Sequence, residues 1–187
     1  MVVTILAEPR SGSTNLTNWF FFNKNFTTLF EPTNPVSKWF QNKTHPKDYK
    51  YKTKHLCIKE IYSPNINWDL LLDVSDKTIV LYRENVQEQL ESFLNALNTD
   101  NWHLPYVYKK PKISITKEKT EYFNILKSEF KEKYINKAFF TISYEELYYS
   151  NGFQKILDYL DMDELENKGF PYGQKYRINA NKGKTLI

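Results

Sequence analysis

The sequence predicts an α/β fold: a three-layer domain with a mostly parallel central sheet of about five strands and helices on both faces. Three observations carry that expectation. Short apolar runs rich in β-branched and aromatic residues recur near 2–7, 26–30, 56–62, 78–82 and 138–143. Helical periodicities lie between them, and strands that alternate with helices pack as parallel sheets covered on both sides. The first run opens directly into a turn of Gly, Ser and Thr, the usual passage from a buried strand to a helix that faces an anion.

Each element has its own reason. Val2-Val3-Thr4-Ile5-Leu6 is an uninterrupted apolar run, suited to a strand buried on both faces. The helix after the turn places Leu16, Trp19 and Phe20 at i, i+3 and i+4. Residues 85–97 set Val86, Leu90, Phe93, Leu94 and Leu97 on one face. Residues 117–136 do the same with Phe123, Leu126, Phe130 and Tyr134. A last helix, 153–161, carries Phe153, Ile156, Leu157 and Leu160. Long loops are expected at 41–55, with lysines and Tyr49 and Tyr51, and at 98–116, with Trp102, His103, Tyr106 and Tyr108.

At 187 residues the chain suits one domain, 1–187, with a substantial core. Hydrophobic residues at 41% support a globular fold, and a net charge of +4 suits an anionic ligand while being too small to argue for nucleic acid. One cysteine, Cys57, in an apolar run, excludes an internal disulfide framework and reads as a buried thiol. His45, His55 and His103 show no metal-ligand spacing. With no leader before the first strand and no apolar run long enough to cross a bilayer, a soluble, cytoplasmic protein without a membrane partner is expected.

The turn Glu8-Pro9-Arg10-Ser11-Gly12-Ser13-Thr14 reads as an anion cradle. Free amides at a helix N-terminus offer donors, and the helix dipole adds partial positive charge. The hydroxyls of Ser11, Ser13 and Thr14 offer more, and Arg10 brings a permanent charge with a bidentate grip. A nucleoside-triphosphate P-loop needs G-x-x-x-x-G-K-[ST]. Aligning Gly12 and Thr14 with it puts Ser13 where the lysine belongs, and the strand Thr78–Tyr82 ends in Arg83, not a magnesium-binding Asp. A phosphate ligand handled without a metal is expected. Arg10 and Arg83 both follow strands, so both can reach one crevice at the carboxyl end of the sheet.

Two blocks resemble a known family. Pro9-Arg10-Ser11-Gly12-Ser13-Thr14 is similar to the loop with which sulfotransferases hold the 5′-phosphosulfate end of 3′-phosphoadenosine 5′-phosphosulfate (PAPS). Ile79 to Ser92 resembles the strand–helix segment in which an Arg and a Ser clamp the 3′-phosphate. Arg83, Gln89 six residues on and Ser92 three further are most similar to the bacterial Stf0-type enzymes. In cytosolic eukaryotic members the Arg–Ser spacing is one residue shorter. Ile142-Ser143-Tyr144-Glu145-Glu146-Leu147 is similar to a strand-end segment near the adenine. Asn181-Lys182-Gly183-Lys184 resembles the basic segment that closes over the 3′-phosphate. Trp102-His103 lies where related enzymes place acceptor-contacting loops.

The resemblance implies a P-loop-like sulfotransferase fold and metal-free, in-line sulfuryl transfer from PAPS to an acceptor hydroxyl. Adenosine 3′,5′-bisphosphate (PAP) would be the product. Its implied nucleotide contacts are Arg10, Ser11, Gly12, Ser13, Thr14, Arg83, Ser92, Tyr144, Lys182 and Gly183. Its implied catalytic groups are Arg10, Lys59 and Glu31, where the Stf0-like and tyrosylprotein branches carry a Glu base; Glu60 is the rival carboxylate. Arg10 cannot donate a proton, so its role is electrostatic. The acceptor class stays open among small molecules, carbohydrates and peptides. Two other readings stay open too: a PAP- or PAPS-binding module without turnover, and a P-loop nucleotide kinase.

Overall fold

The computed structural model describes residues 1–22, 26–34, 53–99, 116–135 and 139–162. Five strands form one sheet: β1 (Val2–Ala7), β2 (Thr27–Phe30), β3 (Leu56–Ile61), β4 (Lys77–Tyr82) and β5 (Phe140–Ser143). Their order is β2-β3-β1-β4-β5, and every pairing is parallel. The helices are α1 (Ser13–Phe22), α2 (Trp68–Val74), α3 (Val86–Thr99), α4 (Lys117–Phe130), α5 (Tyr144–Tyr149) and α6 (Gly152–Leu160).

All six residues of β1 are buried, as a central parallel strand requires when helices cover both faces. Its side chains alternate between two cores. Val2 and Leu6 join Leu56, Ile58 and Val80 against Leu71 of α2, Phe93 of α3 and Phe130 of α4. Val3, Ile5 and Ala7 join Cys57, Ile79 and Ile142 against Leu16 and Phe20 of α1, Leu147 of α5 and Ile156 of α6. Each large apolar side chain so buried is worth about 1.5–3 kcal/mol in transfer free energy. The fold is therefore a sheet between two helical layers.

Two helices were not expected. The helix α2 follows an Asn67 cap, whose Oδ1 accepts from Leu70 N at 3.1 Å, and it buries Trp68, Leu71 and Val74 at intervals of three. The helix α5 starts where the sequence reads as a strand end: Ser143 closes β5 and its Oγ accepts from Glu146 N at 3.1 Å. The expected continuous helix 117–136 is corrected as well. It runs as α-helix to Phe130 and continues as a π-helical turn, Lys131–Ile135, which keeps Tyr134 buried. Among the described residues no helix is long and apolar enough to cross a membrane.

Parallel strands align their carboxyl ends. The residues that follow the five strands are Glu31, Tyr62, Glu8, Arg83 and Tyr144 in sheet order, so one edge collects three charged and two phenolic side chains. The helix after β1 packs on one face and those after β4 pack on the other. A crevice at the carboxyl ends of β1 and β4 is the consequence of that reversal.

Candidate active site

The turn between β1 and α1 closes on itself. Ser11 donates from both its amide and its Oγ to the Glu8 carbonyl, at 3.3 and 2.8 Å. Arg10 and Gly12 adopt left-handed backbone, φ 62° and 80°. The amides of Gly12, Ser13 and Thr14 then donate to no group among the described residues. They form the open N-terminus of α1, as an anion cradle requires. Ser11 departs from expectation: its hydroxyl is buried and serves the turn, leaving Thr14, half-buried, as the more accessible hydroxyl. Ser13 is buried too, and its carbonyl accepts from Thr17 Oγ1.

Glycine is required at position 12 for two reasons. Its φ of +80° strains any L side chain, and a Cβ there would lie 2.7 Å from a Tyr144 ring carbon and 3.0 Å from one of Tyr148. Tyr148 Oη donates to the Gly12 carbonyl at 2.9 Å. Burial pushes that phenol well above its usual pKa, so it stays a neutral donor. The short helix α5 thus forms a wall against the cradle.

Arg83 also packs against Tyr144. Its guanidinium carbon lies 4.6 Å from the Tyr144 ring centroid, a cation–π contact. Its Nη2 donates to Glu88 at 2.5 Å, and its Nε lies 3.8 Å from Glu145. That buried Nε has no hydrogen-bond partner among the described residues. Glu145 also accepts from the amides of Glu84 and Asn85, at 2.9 and 3.1 Å, and so fixes the turn into α3.

The helix α3 faces the cradle with Gln89 and Ser92, which lie three residues apart and so share one side. Gln89 Nε2 donates to the Pro9 carbonyl at 2.8 Å. Ser92 Oγ accepts from Arg10 Nε at 2.8 Å. Direct contact therefore joins Ser92 to Arg10, and no hydrogen bond joins Ser92 to Arg83 among the described residues.

The second charged centre lies at the ends of β2 and β3. Phe30 and Lys59 are register partners, and the Glu31 amide donates to the Lys59 carbonyl at 2.6 Å. The Lys59 ammonium, 1% exposed, forms an ion pair with Glu31. A buried cation needs such a partner, because removing it from water otherwise costs several kcal/mol. Glu31 adopts left-handed backbone, φ 50°. Glu60, the next residue of β3, faces the opposite way, as alternation demands. Its Oε2 accepts from Thr33 N at 2.9 Å and Thr33 Oγ1 at 2.8 Å, while Oε1 is buried without a hydrogen-bond partner among the described residues. Burial raises its pKa to about 7.

The structure adds residues that the sequence did not point to. Glu8 is buried at the end of β1 and accepts from Arg83 N, Gln89 Nε2 and Lys127 Nζ. A charged residue that directly follows an apolar strand is the signal that would have found it, as it did for Arg83. Lys127, on the amphipathic α4, reads in sequence as a solvated lysine. Lys182, Gly183, Trp102 and His103 lie outside the described residues.

No family model and no curated protein matches the chain. The fold is nonetheless shared with a sulfotransferase. The solved structure of mouse sulfotransferase SULT7A1 complexed with PAP superposes with a TM-score of 0.56 at 16% sequence identity. The match covers 87% of this chain and 58% of SULT7A1, so this chain spans little more than half the length of that one. The likeness concerns the fold: a five-stranded parallel sheet with helices on both sides.

Proposed function

We propose that the chain is a sulfotransferase that moves a sulfuryl group from PAPS to an acceptor hydroxyl. One observation carries the reading. The Tyr144 ring lies against both Gly12 of the cradle and the guanidinium of Arg83, so two anion-binding groups meet at one aromatic ring. A nucleotide with a phosphate at each end of its ribose has that layout. The open amides of Gly12 to Thr14 and the guanidinium of Arg83 fit such a ligand. The likeness to a PAP-bound sulfotransferase supports the same choice.

PAPS supplies an activated sulfuryl group together with a bisphosphate leaving group. The chain's residues do the rest. Gly12, Ser13 and Thr14 amides, with Arg10, hold the 5′ end and balance its charge. Arg83 holds the 3′-phosphate, and Lys182 and Gly183 add to that grip. Ser92 anchors Arg10 and, with it, the 5′ side. Glu31 takes the acceptor proton on its carboxylate, with Lys59 orienting it and adding positive charge at the transferred group. The Stf0-like branch and a cytoplasmic location are parts of the same proposal.

Calorimetry without magnesium tests the ligand. PAP should bind at least about tenfold more tightly than 5′-AMP, the worth of one charge-assisted contact. Equal affinities defeat the reading. Release of PAP from PAPS in the presence of hydroxyl acceptors then tests turnover. A second reading, a binding module without turnover, is favoured by the ion pair that occupies Glu31. PAP binding without PAP release under any acceptor would select it. The kinase reading has Ser13 at the lysine position against it.

A further inference from the structure

We propose that the Glu8–Lys127 pair is a positioning device that sets the separation of the two anion subsites. The proposal rests on the reading of those subsites given above. The backbone ladder between β1 and β4 ends where Glu8 N donates to the Leu81 carbonyl at 3.1 Å. Beyond it a side chain takes over. Glu8 Oε2 accepts from the Arg83 amide at 3.1 Å, and Lys127 Nζ donates to the Arg83 carbonyl at 2.9 Å. The peptide groups on both sides of the Arg83 Cα are therefore held by this one pair.

The pair closes on itself. Lys127 Nζ reaches both Glu8 oxygens, at 3.1 and 2.9 Å, and the Gln89 Oε1 at 2.9 Å. Gln89 Nε2 returns to Glu8 Oε2 at 3.0 Å and to the Pro9 carbonyl at 2.8 Å. Every backbone atom this network holds belongs to a segment that carries an anion-binding group: Pro9 beside Arg10, and Arg83 itself. Glu8 is 1% exposed, and apolar residues of similar volume can replace a buried ion pair at little cost in stability. What such a replacement cannot keep is the grip on Arg83 N and O.

Lys127→Met keeps the length of the side chain and removes its donors. Lys127→Gln keeps a donor without the charge and serves if the first variant unfolds. Two measurements decide. In the unliganded protein, exchange of the Arg83 amide should accelerate at least about tenfold, while amides within β3 hold their rates. By calorimetry, affinity for PAP should fall about tenfold, while affinity for 5′-AMP stays within about twofold. An unchanged Arg83 amide, or an equal loss for both ligands, overturns the proposal. A wild-type protein that fails to prefer PAP over 5′-AMP defeats the sulfotransferase reading instead, and amide exchange at Arg83 still decides the positioning role.

Discussion

Arg10 donates from Nε to Ser92 Oγ at 2.8 Å, across 82 positions of sequence. The contact ties the cradle after β1 to the helix after β4, so a change at Ser92 reaches Arg10 first. Ser92→Ala removes the acceptor and loosens one of the holds on the Arg10 side chain. We expect PAP and 5′-AMP to lose affinity together, by about three- to tenfold, as befits a hydrogen bond from a charged donor. Calorimetry with both ligands checks it. A loss confined to PAP would place Ser92 on the 3′-phosphate alone.

Arg83 behaves differently. Arg83→Ala should lower PAP affinity at least about tenfold and leave 5′-AMP nearly unchanged. Its ion-pair partner offers the opposite test. Glu88 is 58% exposed in its side chain and competes with any anion for Arg83. Exposed pairs are worth about 1 kcal/mol or less, so Glu88→Gln should raise PAP affinity by no more than a few-fold. A decrease would mean that Glu88 holds Arg83 in its binding position.

Glu31→Gln retains the shape of the side chain and loses its basicity. Turnover should fall by about 10²–10⁴-fold with the KM for PAPS unchanged, the usual worth of a general base. Glu60→Gln should do much less, because Glu60 faces Thr33 and not Lys59. Steady-state rates of the two variants, measured side by side, separate them. Glu60→Gln inactive and Glu31→Gln active would exchange the assignments.

Glu60 has a pH consequence of its own. Burial lifts its pKa from 4.5 to about 7 in the folded protein. Between those values the folded state holds more proton than the unfolded chain, so stability falls as pH rises. The contribution is complete below about pH 4.5 and is lost as pH passes about 7, amounting to roughly 3 kcal/mol. Urea midpoints from pH 5 to pH 8 should decline in the wild type relative to Glu60→Gln. Parallel pH profiles would show that Glu60 is not buried in this way.

The sheet and the cradle were legible because they are written in neighbouring residues. Val2 to Leu6 is a strand by its apolar run, and Gly12 marks the one left-handed glycine among the described residues. The helices α2 and α5 escaped because each spans two turns or fewer and its start depends on a cap, Asn67 or Ser143. The Glu31–Lys59 pairing could be placed but not seen: strand ends were readable, whereas the register of Phe30 with Lys59 is a tertiary fact. Lys127 was invisible for the same reason. Nothing within α4 distinguishes it from the other lysines, and only the packing of α4 beside β4 brings it to Glu8.

Arg10 and Glu31 share a backbone property that bears on the history of such a chain. Both sit at positive φ, where an L side chain costs about 1 kcal/mol and glycine costs nothing locally. Glycine's larger unfolded-state entropy offsets part of that gain. The backbone thus gains at both positions from a change to glycine, but at position 31 the loss of the carboxylate also strands the buried Lys59 cation. A descendant released from selection for transfer would drift first at position 10, and would change Glu31 only together with Lys59. Inactive relatives of this fold should therefore be recognisable by what stands at position 10, and at 31 and 59 together, while Gly12 persists, since Gly12 answers to Tyr144 whether or not a ligand is bound.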